Sequence, residues 1–475
     1  MTIQLFPDQI RSIDRLRGAL RTHKSVLLQG ETGSGKSVMA AYMIANSRAK
    51  GLKSAFVVPR RDLLHQMSET FTAFGIAHSF VAAGRPFNPY SQTHICTVGT
   101  LANRLDKIQP GIVFYDEAHY GGAQLSSMIA HYKVKGAWSI GLSATPEKTN
   151  GQGLDEFYDD LVLGPTIREL IDLKRLSDYR LFAPSRPDLS GISTVAGEYA
   201  KGELANFMEH ETVLIGDAVK HYLAHAAGKL NITFCTSIKH SQMTAEAFRA
   251  AGVPSMHMDG ETPDDERRRI ASAFARRELM NICSVDLMTF GYDLASASGV
   301  KGAVIESISD LRPTKSRPLQ RQKIGRALRY KEQPAIILDH SGNTMIHGMP
   351  CEEISWTLTG RKKRKQNDER AIAVRQCPVC YFVHAPAPAC VNCGHIYPVE
   401  SRMVENVDGE LVELDRAAMV RRRNQGMAET LDDLVALGRS RGMKNPEGWA
   451  RHVFAGREKK KLQVTLHAGN EVLEL

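Results

Sequence analysis

The chain has 475 residues, 43% hydrophobic and 24% charged, with a net charge of +9 and a pI near 9.1. That length accommodates two or three domains with full-sized cores, and the composition is that of an ordinary soluble globular protein. No run approaches the ~18 apolar residues of a membrane span, the opening MTIQLFPDQI lacks the basic-then-apolar layout of a secretory leader, and the basic balance favours a polyanionic partner.

In chain order, the first informative stretch is VLLQGETGSGKS, residues 26–37. A short apolar strand, Val26 to Leu28, runs into Gly30-x4-Gly35-Lys36-Ser37 and then into the helix-compatible VMAAYMIANSRAK. Strand before and helix after is the context a phosphate-binding loop requires. Gly30, Gly33 and Gly35, with Thr32 and Ser34 between them, let the backbone curl with its N–H groups turned inward. The helix that follows directs the positive end of its dipole at the same anion. Lys36 is placed to reach the β and γ phosphates of ATP, and Ser37 to offer its hydroxyl to magnesium.

Apolar strands are expected at 54–59, 93–98, 111–116 and 138–144, alternating with helical stretches, which predicts a parallel α/β sheet. The third ends on Asp116-Glu117, within IVFYDEAHYGG. Two adjacent carboxylates at the end of a buried strand repel unless a cation compensates, so Asp116 is read as the magnesium-holding acid and Glu117 as the group that polarises the attacking water. The pattern recurs at 231–237, 280–286, 301–307 and 334–340, so two similar α/β units are expected. The connection around 165–210 has a helical period, then a strand-like YRLFAP, then a polar stretch at 189–203 that reads as a loop.

With the loop and the DEAH tetrapeptide joined, residues 1–345 resemble a superfamily 2 helicase, which implies two tandem RecA-like domains and an ATP held between them. The resemblance makes Gln9, in LFPDQ, a reader of adenine. It assigns Arg60 in VVPRRDLLHQ and Gly99 and Thr100 in TVGTL to the nucleic-acid backbone. His119, Ser143 and Thr145 of GLSATP, and Gln322, are assigned to coupling, and Gly291 and Asp293 to the nucleotide ribose. QKIGRALRY resembles the arginine-finger segment, with Arg326 and Arg329 as catalytic residues beside Lys36, Asp116 and Glu117. Three apart, the two arginines would share a helix face and approach one phosphate together; surface ion pairs, or a grip on nucleic-acid phosphate, are the other uses of such a pair. The sequence departs from the DEAD-box RNA helicases in having His119 where they have Asp, and IGRALR rather than IGRTGR. DNA is therefore the expected partner, single-stranded or branched, with RNA as the alternative.

Eight cysteines are too few for a disulfide framework, and four of them cluster in CPVCYFVHAPAPACVNCG, which points to a reducing cytoplasm and one metal site. Cys377, Cys380, Cys390 and Cys393 have the spacing of two knuckles around a tetrahedral ion, and structural zinc is favoured over two disulfides or an iron–sulfur cluster. His384 and His395 read as exposed loop histidines. The basic run RKKRKQ (361–366) is either a solvated linker or a phosphate grip. The tail reads as helices, with Leu431, Leu434 and Leu437 on one stripe, Pro446 at a helix start, and Trp449 either stacked on a base or buried in a small core.

The expected organisation is a first motor domain at 1–165, a connecting segment at 166–210, a second motor domain at 211–345, a basic linker and ribbon at 346–400 and a helical region at 401–475. This order resembles RadD-type DNA-repair proteins of bacteria and their phage relatives. The resemblance implies an ATP-dependent DNA helicase or translocase using ATP, magnesium and zinc, with protein partners reached through the C-terminal region. A nucleotide-gated scaffold with slow turnover, and the motor of a restriction system, are the competing functions.

Overall fold

The computed structural model describes residues 4–120, 122–148, 150–184, 186–285, 294–360, 374–398, 428, 430–443 and 445–455, and divides into two compact units, Met1–Tyr397 and Pro398–Leu475. The first unit holds two parallel sheets. Sheet one contains β1 (Ser25–Gln29), β2 (Ser54–Val58), β3 (Ser79–Val81), β4 (Thr93–Thr97), β5 (Ile112–Tyr115), β6 (Trp138–Ser143) and β7 (Asp160–Leu163), in the order β3-β4-β2-β5-β6-β1-β7. Period-2 alternation sends Val26, Leu28, Phe56 and Val58 into the core on one face and Leu27, Ala55, Val57 and Val113 into the core on the other. A sheet covered on both faces explains why its strands read as continuous apolar runs.

Sheet two contains β8 (Tyr179–Phe182), β11 (Asn231–Phe234), β12 (Ser255–Met258), β13 (Asn281–Ser284), β14 (Ser307–Asp310) and β15 (Ala335–Asp339), in the order β12-β13-β11-β14-β15-β8. The strand within YRLFAP thus belongs to this sheet as its edge, pairing in parallel with β15. Two expectations are corrected here. The segment 189–203 is not all loop: β9 (Thr194–Val195) and β10 (Glu198–Tyr199) form a hairpin, followed by the helix Lys201–His210. The strand expected at 301–307 lies later, at β14, with Ala303 and Ile305 packing as an irregular lead-in.

The reason is a polar seam on one face of the sheet. Asn231 Nδ2 donates to Asn281 Oδ1 at 2.9 Å and Ser309 Oγ at 3.1 Å, and Ser307 Oγ donates to Asn231 Oδ1 at 2.9 Å. Thr233 Oγ1 donates to Asn281 Oδ1 at 2.8 Å, and Asn281 Nδ2 to Ser255 Oγ at 2.9 Å. Buried hydroxyls that find partners across strands permit SISD to be a central strand despite its polarity.

Past β15 the chain doubles back onto the first lobe. Leu154 N and Asp155 N donate to Leu358 O at 2.7 and 3.2 Å, and Gln152 bridges to Gly360. The backbones meet so closely that a Cβ on Gly153 would lie 1.9 Å from Leu358 O. The chain then returns: β16 (Arg375–Gln376) and β17 (Val383–His384) form a small ribbon docked on β8, with Ala183 N donating to Tyr381 O at 3.0 Å and Phe382 against Phe182.

The second unit, by itself, is a helical pair. Thr430 and Asp433 close a capping box at the start of Leu431–Ser440, and residues 446–455 form the second helix, opening on Pro446. Leu434 and Ala450 are buried, with Leu431, Val435 and Trp449 packed against them. Trp449 thus takes the core role rather than that of an exposed stacking platform. The basic run 361–366 lies outside the described residues.

Candidate nucleotide and metal sites

The carboxyl ends of β1, β5 and β6 converge on one rim. Gly30 N donates to Ser143 O at 2.9 Å, tying the loop to the end of β6. Gly33 and Gly35 hold φ of 88° and 86°, a region in which glycine alone is unstrained, and Gly35 opens the helix Lys36–Ala49. Lys36 Nζ donates to Gly30 O at 2.7 Å and Glu31 O at 3.4 Å, while the hydroxyls of Ser34 and Thr145 are buried with no protein partner. An ammonium resting on carbonyls at the mouth of a glycine loop, beside orphaned hydroxyls, fits a polyphosphate. Ser37 lies half-buried in the first helical turn.

Asp116 extends β5, and Glu117 follows with φ of 47°, a strained conformation for a residue bearing a Cβ. Burial, reinforced by the Glu117 charge, pushes the Asp116 carboxyl up to about 7, with Lys36 pulling the other way. A divalent cation is what such a carboxyl lacks, so Asp116 and Ser37 fit a magnesium site. A cavity of about 350 Å³ lies beside the pair, bounded by Val57, Pro59, Val98, Asp116, Glu117 and Tyr120. Arg60 caps the helix Arg61–Ala73 that follows β2, and Gly99 and Thr100 lie in the short helix Val98–Ala102 after β4; the cavity is lined by their neighbours Pro59 and Val98.

The second lobe meets this rim with the helix Arg317–Ala327. Gln322 Nε2 donates to Glu117 Oε2 at 3.2 Å and to His119 Nε2 at 3.4 Å, and Gln322 Oε1 accepts from Tyr120 OH at 3.2 Å. Ser143 Oγ spends its proton on Thr145 O at 2.6 Å, so the 2.9 Å contact between His119 Nδ1 and Ser143 Oγ requires the Nδ1–H tautomer, which leaves Nε2 as the acceptor Gln322 needs. Burial lowers the His119 pKa to about 4, consistent with the neutral ring. His119, Ser143, Thr145 and Gln322 are therefore brought into one network with Glu117.

Two further contacts across the lobes were not legible as motifs. Arg321 Nη1 lies 3.4 Å from Glu31 Oε1, and Arg317 Nε 4.0 Å from Glu147 Oε1, with both carboxylates buried. Glu31 occupies a variable position of the loop pattern and Glu147 follows SATP, so only the fold pairs them. Gly325 abuts Thr32, where a Cβ would fall 2.5 Å from the Thr32 Cβ. The helix is set by Lys323, whose Nζ donates to both Asp310 oxygens at 2.7 Å, and by Glu198, whose carboxylate accepts Lys315 N at 2.8 Å.

Arg326 is buried in this helix, but Arg329 lies beyond its end, so the expected shared helical face is corrected. The helix stops at Leu328 because Arg329 pairs in an antiparallel bridge with Leu176. Gln9, expected on a base, engages Ser34 O through Nε2 at 3.1 Å and accepts Phe6 N through Oε1 at 3.1 Å. Gly291 and Asp293 lie outside the described residues.

The four ribbon cysteines bring their Sγ atoms within 4.8 Å of one another, with Cys377–Cys393 at 3.6 Å and Cys380–Cys390 at 3.7 Å. Tetrahedral sulfurs around zinc at about 2.3 Å stand about 3.8 Å apart, so this set can hold one metal ion. The knuckles repeat each other: Tyr381 N bonds Cys377 O and Gly394 N bonds Cys390 O, both at 2.9 Å, with φ of 59° and 74°. His384 is not an exposed loop residue; it is buried in β17 with Nε2 2.8 Å from Tyr397 OH, because the ribbon needs a core. His395 is half-buried against the same tyrosine.

Residues 2–148 match the family described as the res subunit of type III restriction enzymes, and residues 215–331 match the helicase conserved C-terminal domain. A 51.5 kDa protein of a Lactococcus phage (isolate 7-9) is 28% identical over 402 residues, covering 83% of each chain. A Saccharomyces cerevisiae protein named as a candidate ATP-dependent helicase, IRC3, is 26% identical over 338 residues, covering 66% of this chain and 48% of its own. This chain thus spans most of the phage protein but only about half of the yeast one. The ATP-dependent type ISP restriction-modification enzyme LlaBIII bound to DNA shares the fold at a TM-score of 0.50 and 13% identity, over 70% of this chain and 27% of that one. Among the described residues no helix is long and apolar enough to cross a membrane. A phosphate loop on one parallel sheet, an acid pair facing a helix from a second, and two helicase domain models in that order make this chain a member of the superfamily 2 helicases, nucleic-acid-dependent ATPases.

Proposed function

We propose that the protein is an ATP-driven DNA translocase or helicase of the RadD type, serving repair, recombination or replication in a bacterium or phage. The observation that carries this reading is the Gln322 amide, which spans from the second lobe to Glu117, His119 and Tyr120 of the first. Such a link lets occupancy of the cleft and the relative setting of the lobes depend on each other.

In this reading Gly30, Thr32, Gly33, Ser34 and Gly35 cradle the phosphates of ATP with Lys36, and Gln9 with Gly291 and Asp293 takes the nucleoside. Magnesium held by Ser37 and Asp116 supplies charge neutralisation on the phosphates. Glu117 orients and deprotonates the attacking water, and Gln322 fixes the carboxylate oxygen that does so. Arg326 and Arg329 offset charge on the transferred phosphoryl, a contribution of ~10³–10⁵ in rate for a finger arginine. The motor lobes are assigned to 1–165 and 211–345, and Arg60, Gly99 and Thr100 to the strand backbone. DNA is favoured over RNA by the wording at His119 and 324–329, and by the DNA in the LlaBIII structure. The four cysteines are assigned to structural zinc, which would give one zinc per chain by elemental analysis and loss of that metal in Cys377→Ser.

Lys36→Ala should reduce nucleotide turnover at least ~10³-fold, since phosphoryl transfer depends on positioned charge. Turnover is to be measured with single-stranded, forked, junction and duplex DNA and with RNA of equal length. Strongest stimulation by forked or junction DNA supports the proposal; strongest stimulation by RNA replaces the substrate, and turnover that survives Lys36→Ala overturns the site.

A further inference from the structure

The segment that joins the lobes carries a side chain that no motif assigns. Arg175 follows the helix Ile167–Asp172 and the sharp turn at Lys174, where φ is 53°. Its guanidinium carbon lies 3.4 Å from the centroid of the Phe6 ring. Phe6 is the residue whose N–H holds Gln9 Oε1, and Gln9 in turn holds Ser34 O. One Arg175 terminal nitrogen, Nη2, lies 3.8 Å from the Cβ position of Gly35, at the start of the helix behind the phosphate loop. The other, Nη1, is shielded from solvent and has no protein acceptor.

A guanidinium N–H removed from water and left without an acceptor is unfavourable, so an acceptor from outside the protein is the economical partner. Stacking on Phe6 orients the cation but satisfies none of its donors. The neighbouring residues define which acceptor. Lys36 and the loop amides face the β and γ phosphates, so the end marked by Gly35, Gln9 and Phe6 is left for the α-phosphate, ribose or base.

The next two residues lead elsewhere. Leu176 Cδ2 stands 2.9 Å from the Cβ position of Gly33, and the Leu176 backbone pairs with Arg329. Ser177 N donates to Leu328 O at 2.9 Å, and Ser177 Oγ to Arg329 O at 2.9 Å. Three consecutive residues therefore touch the phosphate loop on one side and the Arg329 turn on the other.

We propose that Arg175 contacts the nucleotide, donating from Nη1 to an acceptor at its base, ribose or α-phosphate end, and that Leu176 and Ser177 link that contact to the position of Arg329. This rests on the reading of residues 30–37 as a nucleotide site. Ser177 is a positioning residue; Arg175 is a binding residue.

The test is calorimetric binding of magnesium-ADP and of a non-hydrolysable ATP analogue to the full chain. ADP keeps the end of the nucleotide that Arg175 is argued to touch, so Arg175→Ala should weaken both ligands by about tenfold or more, the effect of a lost charged hydrogen bond, and Arg175→Lys should recover part of it. Ser177→Ala should leave ADP affinity unchanged and lower DNA-stimulated kcat. Arg175→Ala that binds ADP like the parent while melting earlier overturns the proposal and leaves Arg175 as packing on Phe6. An unchanged kcat in Ser177→Ala overturns the link to Arg329. Lys36→Ala separates the two levels: if it loses turnover while Arg175→Ala binds normally, only the Arg175 inference fails; if Lys36→Ala still turns over, the nucleotide site itself is misassigned.

Discussion

The two lobes share a parallel-sheet plan but place their buried polarity differently. In the first, the sheet interior is apolar from Val26 to Leu28 and from Ile112 to Tyr115, and at its carboxyl rim buried Glu31, His119 and Glu147 collect with half-buried Asp116. In the second, polar groups run through the sheet itself, from Ser255 and Asn281 to Asn231, Ser307 and Ser309, and a buried Lys323–Asp310 pair lies beneath the helix that meets the first lobe. Rim polarity is only partly satisfied within the protein, as the hydroxyls of Ser34 and Thr145 show, whereas the seam pairs with itself. The first kind of buried polarity leaves donors and acceptors that a ligand could satisfy; the second fixes the register of strands and the setting of a helix.

That contrast can be broken in order of effect. The largest change is expected for Lys323→Met, which leaves Asp310 as a buried carboxylate without its cation and should destabilise the second lobe by about 3–5 kcal/mol in chemical denaturation. A loss below about 1 kcal/mol would mean the pair is dispensable to the helix. Asn231→Leu comes next: similar volume, but Asn281, Ser307 and Ser309 lose a partner, for about 1–3 kcal/mol. The smallest effect has the opposite sign. Asp116→Asn, in magnesium- and nucleotide-free buffer, should stabilise the chain by about 0.5–2 kcal/mol, as relief of a functional strain does. The folded-state pKa of Asp116 is raised to about 7, so the native protein binds its proton more tightly than the unfolded chain does and loses stability as pH rises from about 4 to about 7. The gain from Asp116→Asn should therefore be full above pH 7 and fade toward pH 4; a gain independent of pH would remove the buried charge as its cause.

The same contrast explains what could be read from the chain. The phosphate loop and the acid pair were legible because each is local: glycine spacing, a strand before, a helix after, two carboxylates where one would be unusual. Gln322 was legible only through resemblance, although the position of its amide is physical. Glu31–Arg321 and Glu147–Arg317 were not legible, since nothing local marks pairs so far apart in the chain, 290 residues for the first. The strand at Ser307–Asp310 was missed because apolar content marks a buried strand only when its neighbours are apolar too, and here Asn231 supplies partners that make serine acceptable. His384 was misread as an exposed loop histidine because nothing local marks the small core that the two cysteine knuckles enclose, with Tyr397 in it.

The return of the chain to Leu154 through Leu358 has a mechanical corollary. The lobes are joined once by the stretch ahead of Tyr179 and again by this backtracking segment, and two rigid bodies pinned at two places retain a single freedom, rotation about the line through the pins. Whatever stroke the cleft performs is thereby channelled into one swing, with sliding and twisting opposed by the chain itself at one pin and by the backbone hydrogen bonds to Leu358 at the other.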